Sequence, residues 1–382
     1  MNILYLAHPA SIHDLKWMQF TSSDPDHHCI CMVRSGDKNS INESHLNVLK
    51  ENSIEFAGYI SDFSIARPWQ TLKGFILLRR MIKTYRIDLF HILYAEPNAL
   101  WVWGKNWLRV PVIITTRGSD ILITIRNTFQ SGTILNSIVK KIYKAAFLKT
   151  DYITCTSQLQ MDTITHLIGR KEKMELIRTG IDIEKIIVSD KSSLPDKLKG
   201  RKYIFFPRNM RPLYNHELAI DSIKLLPREI KNNYSFIFLD EDSDDQNYVS
   251  FIKEKMREVL NSDFIFLPRQ DQKTVFELYK RSSLVVMTPD SDGSPVSAME
   301  AMVCGSPVIL PEMNYDTDLF NPGTIFFFPE YTPSSLANQI NFVINNPDRV
   351  KLITDNAKKK IIEKGDRVKE MTKLYNIYQE LL

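Results

Sequence analysis

Apolar residues in this chain gather in short runs separated by stretches of helical periodicity. The first set comprises ILYLAH (3 to 8), HCICMV (28 to 33), IEFAGYI (54 to 60), LFHILYA (89 to 95), PVIITT (111 to 116), YITCTS (152 to 157) and MELIRTG (174 to 180). Runs this apolar, rich in branched and aromatic side chains, suit strands buried on both faces of a parallel sheet. The pattern breaks over IVSDKSSLPDKLKGRK, Ile187 to Lys202, a polar stretch without helical period that reads as a linker. It restarts with YIFFPR (203 to 208), FIFLDE (236 to 241), FIFLPR (264 to 269), LVVMTP (284 to 289), PVILPE (307 to 312) and TIFFFP (324 to 329). The prediction is an α/β chain of two doubly wound parallel-sheet domains, 1–190 and 191–382.

One intervening segment has a second possible use. After Pro68, Phe75, Leu77, Leu78, Met81, Ile82 and Tyr85 gather on one side of a helix, and Lys73, Arg79, Arg80, Lys83 and Arg86 take the other. A crossover helix packed on its sheet has this pattern, and so does a helix lying on a membrane surface. The packed reading is preferred, with a basic outer face still able to touch a membrane. Trp69, Trp101, Trp103 and Trp107 are expected to be buried aromatics.

Composition agrees with two cores, since 382 residues are 43% hydrophobic and 25% charged. No apolar run approaches the roughly 18 residues that cross a bilayer. The start, MNILYLAHPASIHDLKW, lacks a basic leader, apolar core and cleavage site, so no secretory signal is expected. Cys29, Cys31, Cys155 and Cys304 lie in apolar segments without a paired framework, which suits a reducing compartment and a cytoplasmic protein. The net charge of +4 is unevenly spread: between Glu96 and Asp151 the only acid is Asp120, among eight Lys and Arg residues. Such a field can gather anionic substrates or touch an anionic membrane surface from the cytoplasmic face. No nucleic-acid partner is expected, because no binding module accompanies the charge.

The chemistry concentrates in DSDGSPVSAMEAMVCGSPVI, residues 290 to 309. Pro295 suits a first helical turn and Gly305 a C-terminal cap, predicting a helix from about Val296 to Cys304. Its free N–H groups would favour a diphosphate without any metal. Proline has no amide proton, so Val296 and Ser297 would supply the donors. Asp292 and Glu300 would act as acceptor-only carboxylates, Asp292 for sugar hydroxyls and Glu300 for a ribose diol. Ligands of doubly wound sheets bind beyond the carboxyl ends of the strands, which puts Arg208, Arg269 and the Pro289–Ser297 loop on one rim. His13 and Lys16, after the first strand, are cleft-lining candidates by the same rule. Metal readings are weaker. Asp290-Ser291-Asp292 resembles a metal-binding DxD but lies late in the chain, His27, His28, Cys29 and Cys31 lack a second ligand pair, and the acidic run Asp240–Asp245 lacks the spacing and glycine of a Ca²⁺ loop.

These residues resemble the retaining glycosyltransferases of family 4, with the GT-B fold of two facing Rossmann-like domains and an interdomain cleft. The span Asp292 to Glu300 is similar to the E-x7-E motif of that family in its DG(S/T)PVSxxEAMxxG form. FFPRNMRPLYNHELAIDSIKLL is similar to the first strand and helix of the donor domain. There Arg208 matches the arginine that grips the diphosphate, Tyr214 stands where a lysine is usual, and Arg211 is a candidate for the missing charge. TTRGSDIL is similar to the acceptor-domain loop, adding Arg117, Ser119 and Asp120 to the acceptor cleft, and IRTGID to the segment closing the first domain.

The resemblance implies an enzyme that moves a hexosyl group with retention from a nucleotide diphosphate sugar to a lipid-linked or polysaccharide acceptor, in surface polysaccharide biosynthesis. Arg208, Asp292 and Glu300 would be catalytic. Arg208, Arg211, Gly293, Ser294, Pro295, Val296 and Ser297 would hold the diphosphate and sugar, and Arg269 and Glu300 the nucleotide. No cofactor or metal is implied. In similar proteins the last helix, here about 370–382, crosses back to the first domain. A nucleotide-sugar 2-epimerase, or a non-catalytic nucleotide-sugar-binding protein, are the alternative readings.

Overall fold

A computed structural model of the chain describes residues 1–118, 120–125, 134–169, 173–188, 194–240, 245–259, 263–290, 292 and 295–382. Each of the thirteen apolar runs contains a strand, and every strand pairing is parallel. In the first half these are β1 (Asn2–Leu6), β2 (His28–Arg34), β3 (Ile54–Ile60), β4 (Leu89–Leu93), β5 (Val112–Thr116), β6 (Tyr152–Cys155) and β7 (Met174–Leu176). In the second half they are β8 (Tyr203–Phe206), β9 (Ser235–Asp240), β10 (Asp263–Pro268), β11 (Leu284–Val286), β12 (Val308–Pro311) and β13 (Phe326–Phe328). The sheet orders are β3-β2-β1-β4-β5-β6-β7 and β10-β9-β8-β11-β12-β13. Both reverse direction after their first strand, the doubly wound topology, with switch points at β1/β4 and β8/β11.

The reason each run is nearly continuous in hydrophobicity is visible in the register. Leu4 and Leu6 of β1 join one core with Ile30 and Phe90, while Ile3 and Tyr5 join another with Cys29 and Leu89. The second sheet repeats this, Phe205 on one face and Phe206 on the other. Alternate side chains of one strand thus feed helix layers on opposite faces, and each buried Leu, Ile or Phe contributes roughly 1.5–3 kcal/mol. The cysteines are free, and burial pushes the Cys29 and Cys155 thiols up to about 12, so they behave as core apolar groups.

The chain divides into two compact units, Met1–Thr179 with Val368–Leu382, and Gly180–Arg367. The last helix, Arg367–Leu381, gives Met371, Leu374, Ile377 and Tyr378 to the core beneath β1, β2 and β4. A buried polar chain fixes it there. His91 Nδ1 lies 2.6 Å from the Tyr378 hydroxyl and its Nε2 2.7 Å from Thr115 Oγ1, while Tyr378 is 3.2 Å from the Tyr5 hydroxyl. Burial, with help from the Arg117 charge, holds His91 neutral by lowering its pKa well below the ordinary value. Glu370, also buried, accepts the Arg178 N–H at 2.7 Å.

Of the four tryptophans expected in the core only Trp101 is buried, at 1% exposure, against 77% for Trp69, 40% for Trp103 and 42% for Trp107. Trp101 fills the space left by the missing side chain of Gly74. Of the polar stretch Ile187–Lys202, residues 189–193 lie outside the described residues, as do 241–244 of the acidic run. Among the described residues no helix is long and apolar enough to cross a membrane.

Candidate active site

Two loops leave the carboxyl ends of neighbouring strands at the β8/β11 switch point. The first, after β8, is anchored by fully buried Met210 and ends at Asn215, whose φ of 40° is in the left-handed region that Asn tolerates. Asn215 caps the helix His216–Leu225 by accepting the Leu218 N–H at 3.2 Å. The second loop, after β11, is tied to the first. Thr288 Oγ1 lies 2.8 Å and 3.0 Å from the Tyr214 and Asn215 carbonyls, and the Asp290 N–H donates to the Leu213 carbonyl at 2.9 Å. The Asn215 amide and the Tyr331 hydroxyl donate to Asp290 Oδ1 at 3.2 and 2.7 Å.

That cross-bracing sets Arg208 against the start of the helix Val296–Cys304, which runs over the expected residues with Pro295 at its N-cap and Gly305, at φ 83°, closing it. Arg208 Nη1 donates to Ser297 Oγ at 3.0 Å, and Nη2 to Asp292 Oδ2 at 3.2 Å. Both charged side chains keep part of their surface open, 18% for Arg208 and 16% for Asp292. The Ala298 and Met299 N–H groups turn back to the Pro295 carbonyl. The Val296 and Ser297 N–H groups stand ahead of these in the first turn, where a helix's own carbonyls do not reach. Ser297 also hydrogen-bonds fully buried Tyr279, which fixes its hydroxyl. Glu300, one turn on, is half-buried, and its charge adds to burial in raising the Tyr279 phenol.

Tyr214, His216 and Tyr315 complete this corner. The Tyr214 ring lies flat to the Arg208 charge, 4.0 Å from centroid to guanidinium carbon, so the residue standing in the lysine position braces the arginine. His216 Nε2 donates to the Arg208 carbonyl at 3.1 Å, which leaves Nδ1 as the bare nitrogen, and among the described residues it has no partner. Burial, more than the neighbouring Arg208 charge, pulls the His216 pKa down to about 4. Tyr315 is buried, its hydroxyl has no partner among the described residues, and the Asp292 charge adds to burial in raising its pKa. A histidine after a helix cap carried no distinct signal, and nothing near Tyr315 in the chain marks it.

The remaining candidates are more scattered. Arg211 is exposed at the entry to the short turn Pro212–Tyr214. Arg269 is exposed at the end of edge strand β10, and β9 lies between that strand and β8, a lateral separation of roughly 10 Å. Gly293 and Ser294 lie outside the described residues.

In the first unit, His13 is exposed and Lys16 half-buried on the helix Ile12–Ser22 that follows β1. Arg117 leaves the end of β5, donates to Asp14 Oδ1 at 3.1 Å and packs over the Trp17 ring at 4.7 Å. Asp120 is fully buried, its carboxylate accepting the N–H groups of Ala95, Arg117, Gly118 and Ile121 at 2.8–3.0 Å. Its charge therefore organises two turns. Ser119 lies outside the described residues.

Comparison with known proteins covers most of the chain. Residues 2–157 match the family described as glycosyl transferase 4-like, and residues 190–360 match glycosyl transferases group 1. An uncharacterised glycosyltransferase of Methanocaldococcus jannaschii is 24% identical over 79% of this chain and 78% of its own. The N-acetyl-alpha-D-glucosaminyl L-malate synthase of Bacillus anthracis is 18% identical over 78% and 75%. The N,N'-diacetylbacillosaminyl-diphospho-undecaprenol alpha-1,3-N-acetylgalactosaminyltransferase of Campylobacter jejuni is 19% identical over 71% of each. Among solved structures, a glycosyltransferase from Rickettsia africae superposes with TM-score 0.79 at 16% identity, covering 100% of this chain and 98% of its own. Anabaena HepE, in complex with UDP and glucose, gives 0.72 at 17% identity over all of both chains.

Proposed function

Because the chain belongs to glycosyltransferase family 4 and has the GT-B fold, we propose that this glycosyltransferase binds a nucleotide diphosphate sugar at the Arg208 corner of its second unit. The observation that carries the reading is the meeting of one guanidinium with a helix N-terminus beyond the β8/β11 switch point. Both are positive, and both face the place where ligands of doubly wound sheets bind. A diphosphate there would accept from Arg208 and from the Val296 and Ser297 N–H groups, with Arg211, Gly293, Ser294 and Pro295 bordering it. Preorganised donors of this kind stabilise the charge that grows on a departing phosphate, and no metal ion is needed for that task.

Asp292 then changes partner. Its carboxylate pairs with Arg208 in the free chain, and a diphosphate taking over the guanidinium would leave Asp292 to hold hydroxyls of the hexosyl group. Glu300 would take the ribose diol, with Arg269 toward the nucleotide. Retention would follow if the acceptor attacks from the side of the departing phosphate, which helps remove its proton. His13, Lys16, Arg117, Ser119 and Asp120 belong to the acceptor side, Arg117 and Asp120 through the shape they impose on their loop. HepE in complex with UDP and glucose favours a UDP-sugar as the donor to try first. The diphospho-undecaprenol in the name of the Campylobacter relative favours a lipid-linked acceptor in surface polysaccharide synthesis, with the enzyme on the cytoplasmic face of the membrane. The malate in the name of the Bacillus relative makes a small anionic acceptor the control.

A thermal-shift screen with UDP-, GDP- and ADP-sugars, repeated with EDTA, tests the donor site, because a ligand that prefers the native state raises the melting temperature. One nucleotide series should stabilise the chain with or without the chelator, and transfer should be measurable to lipid-diphosphate acceptors. No shift with any series removes the donor assignment. Isomerised free sugar nucleotide formed without acceptor would point to an epimerase instead.

A further inference from the structure

The helix Pro68–Thr84 carries apolar residues on two opposite sides. Thr71, Gly74, Leu78 and Ile82 are buried toward the sheet. Trp69, Leu72 and Ile76, at 77%, 46% and 53% exposure, follow one another at helical spacing on the far side, and Ile65 just before the helix is 63% exposed. At about 100° per residue, the exposed set spans roughly 60° and lies opposite the buried set. Lys73 flanks this stripe, and toward the C-terminal end the same outer side becomes Arg80 and Lys83. A packed crossover helix has no use for this second stripe.

The surface continues onto neighbouring elements of the same unit. Arg79 donates to the Trp107 carbonyl and lies 4.9 Å over the Trp107 ring, and Lys149 lies 4.8 Å over the Trp103 ring. The helix Ile134–Lys149 adds exposed Lys141, Lys144 and Ile138. Across 63–87, 97–118 and 134–149 the sequence has no Asp or Glu. Three exposed tryptophans, an aliphatic stripe and cations without acids match the headgroup zone of a bilayer: the rings and aliphatics suit the acyl boundary, and the cations suit anionic phosphates.

We propose that this face, centred on Trp69, Leu72 and Ile76 and ringed by Lys73, Arg79, Arg80 and Lys83, docks the enzyme on an anionic lipid bilayer. The proposal deepens the lipid-linked acceptor reading and rests on it for its setting. A bilayer surface would hold the first unit where such an acceptor resides.

Flotation of the full-length chain with phosphatidylcholine vesicles, and with vesicles containing roughly a third phosphatidylglycerol, tests it. The chain should float with the anionic vesicles, and the bound fraction should fall at least about tenfold on neutral vesicles, and equally for L72E/I76E on anionic ones. K73E/R80E, which leaves the apolar stripe intact, should lose the preference for anionic lipid, and the vesicle-induced blue shift of tryptophan emission should shrink in Trp69→Phe. Equal binding to both vesicles, wild-type binding by both double variants, or a concentration-dependent dimer dissolved by L72E/I76E would each overturn the proposal. Donor-induced thermal stabilisation is read separately, so a chain that takes donor but ignores vesicles sinks the docking face alone, and one that floats without taking donor sinks the donor site alone.

Discussion

Each unit contains an arginine stacked on an aromatic ring and paired with an aspartate, and the two pairs differ in what surrounds them. Arg117 and Asp14 in the first unit are 3.1 Å apart with side-chain exposures of 9% and 4%, whereas Arg208 and Asp292 in the second are 3.2 Å apart at 18% and 16%. Burial raises the Asp14 pKa and lowers that of Arg117, each opposed by the other's charge, so this pair survives because its members hold one another ionised. Asp14 is also bound by the His8 N–H at 2.9 Å, and among the described residues Arg117 Nε and Nη1 have no partner. The Arg208 pair stands beside the N-terminus of the helix Val296–Cys304 and keeps more open surface. The same two residue types make a sealed brace in one unit and, in the other, a partly open pair suited to the proposed donor site.

The largest expected effect separates the pairs by stability. Arg117→Ala should cost about 3–5 kcal/mol in urea unfolding by stranding a buried carboxylate, and adding Asp14→Asn should recover part of it. A cost within about 0.5 kcal/mol would mean the pair is no brace. Arg208→Ala should do the reverse, lowering turnover by roughly 10²–10³-fold with little change in unfolding midpoint. Wild-type turnover in the purified variant would remove Arg208 from the donor site.

The histidine behind Arg208 offers a pH test. The unfolded chain protonates His216 near its ordinary value of about 6.5, the folded chain near 4, so its contribution is fully present above about 6.5 and drains away as pH falls toward 4. At pH 5 the loss should be on the order of 2 kcal/mol relative to pH 7.5, and His216→Gln should show correspondingly less pH dependence over that window. Identical profiles for both proteins would contradict it. Glu300→Ala should have the smallest effect, weakening donor binding by about tenfold in calorimetric titration while leaving pH dependence unchanged, as expected for the loss of one charged hydrogen-bonding contact.

Much of this was legible beforehand, for identifiable reasons. The strands announced themselves because a parallel sheet buried on both faces requires apolar residues at almost every position, and β1 through β13 meet that requirement over a few residues each. The helix Val296–Cys304 was equally clear, since Pro295 and Gly305 are local signals whose meaning does not depend on the rest of the chain. The tryptophans misled because an aromatic residue looks the same whether its helix face meets the sheet or the solvent. Trp101 goes in against Gly74, Phe63 and Phe75, while Trp69 stays out on the far face of the helix that carries Gly74.

Local sequence by itself determined which segments become strands, that Arg208 and Asp292 lie in the loops that follow β8 and β11, and that Glu300 lies on the helix Val296–Cys304. Their partners were decided only in three dimensions. Arg208 comes to Ser297 across 89 residues of chain, and Tyr378 to His91 across 287. Such contacts depend on strand order and on which face each residue presents, quantities that a period of 2.0 or 3.6 residues leaves open until the sheets assemble.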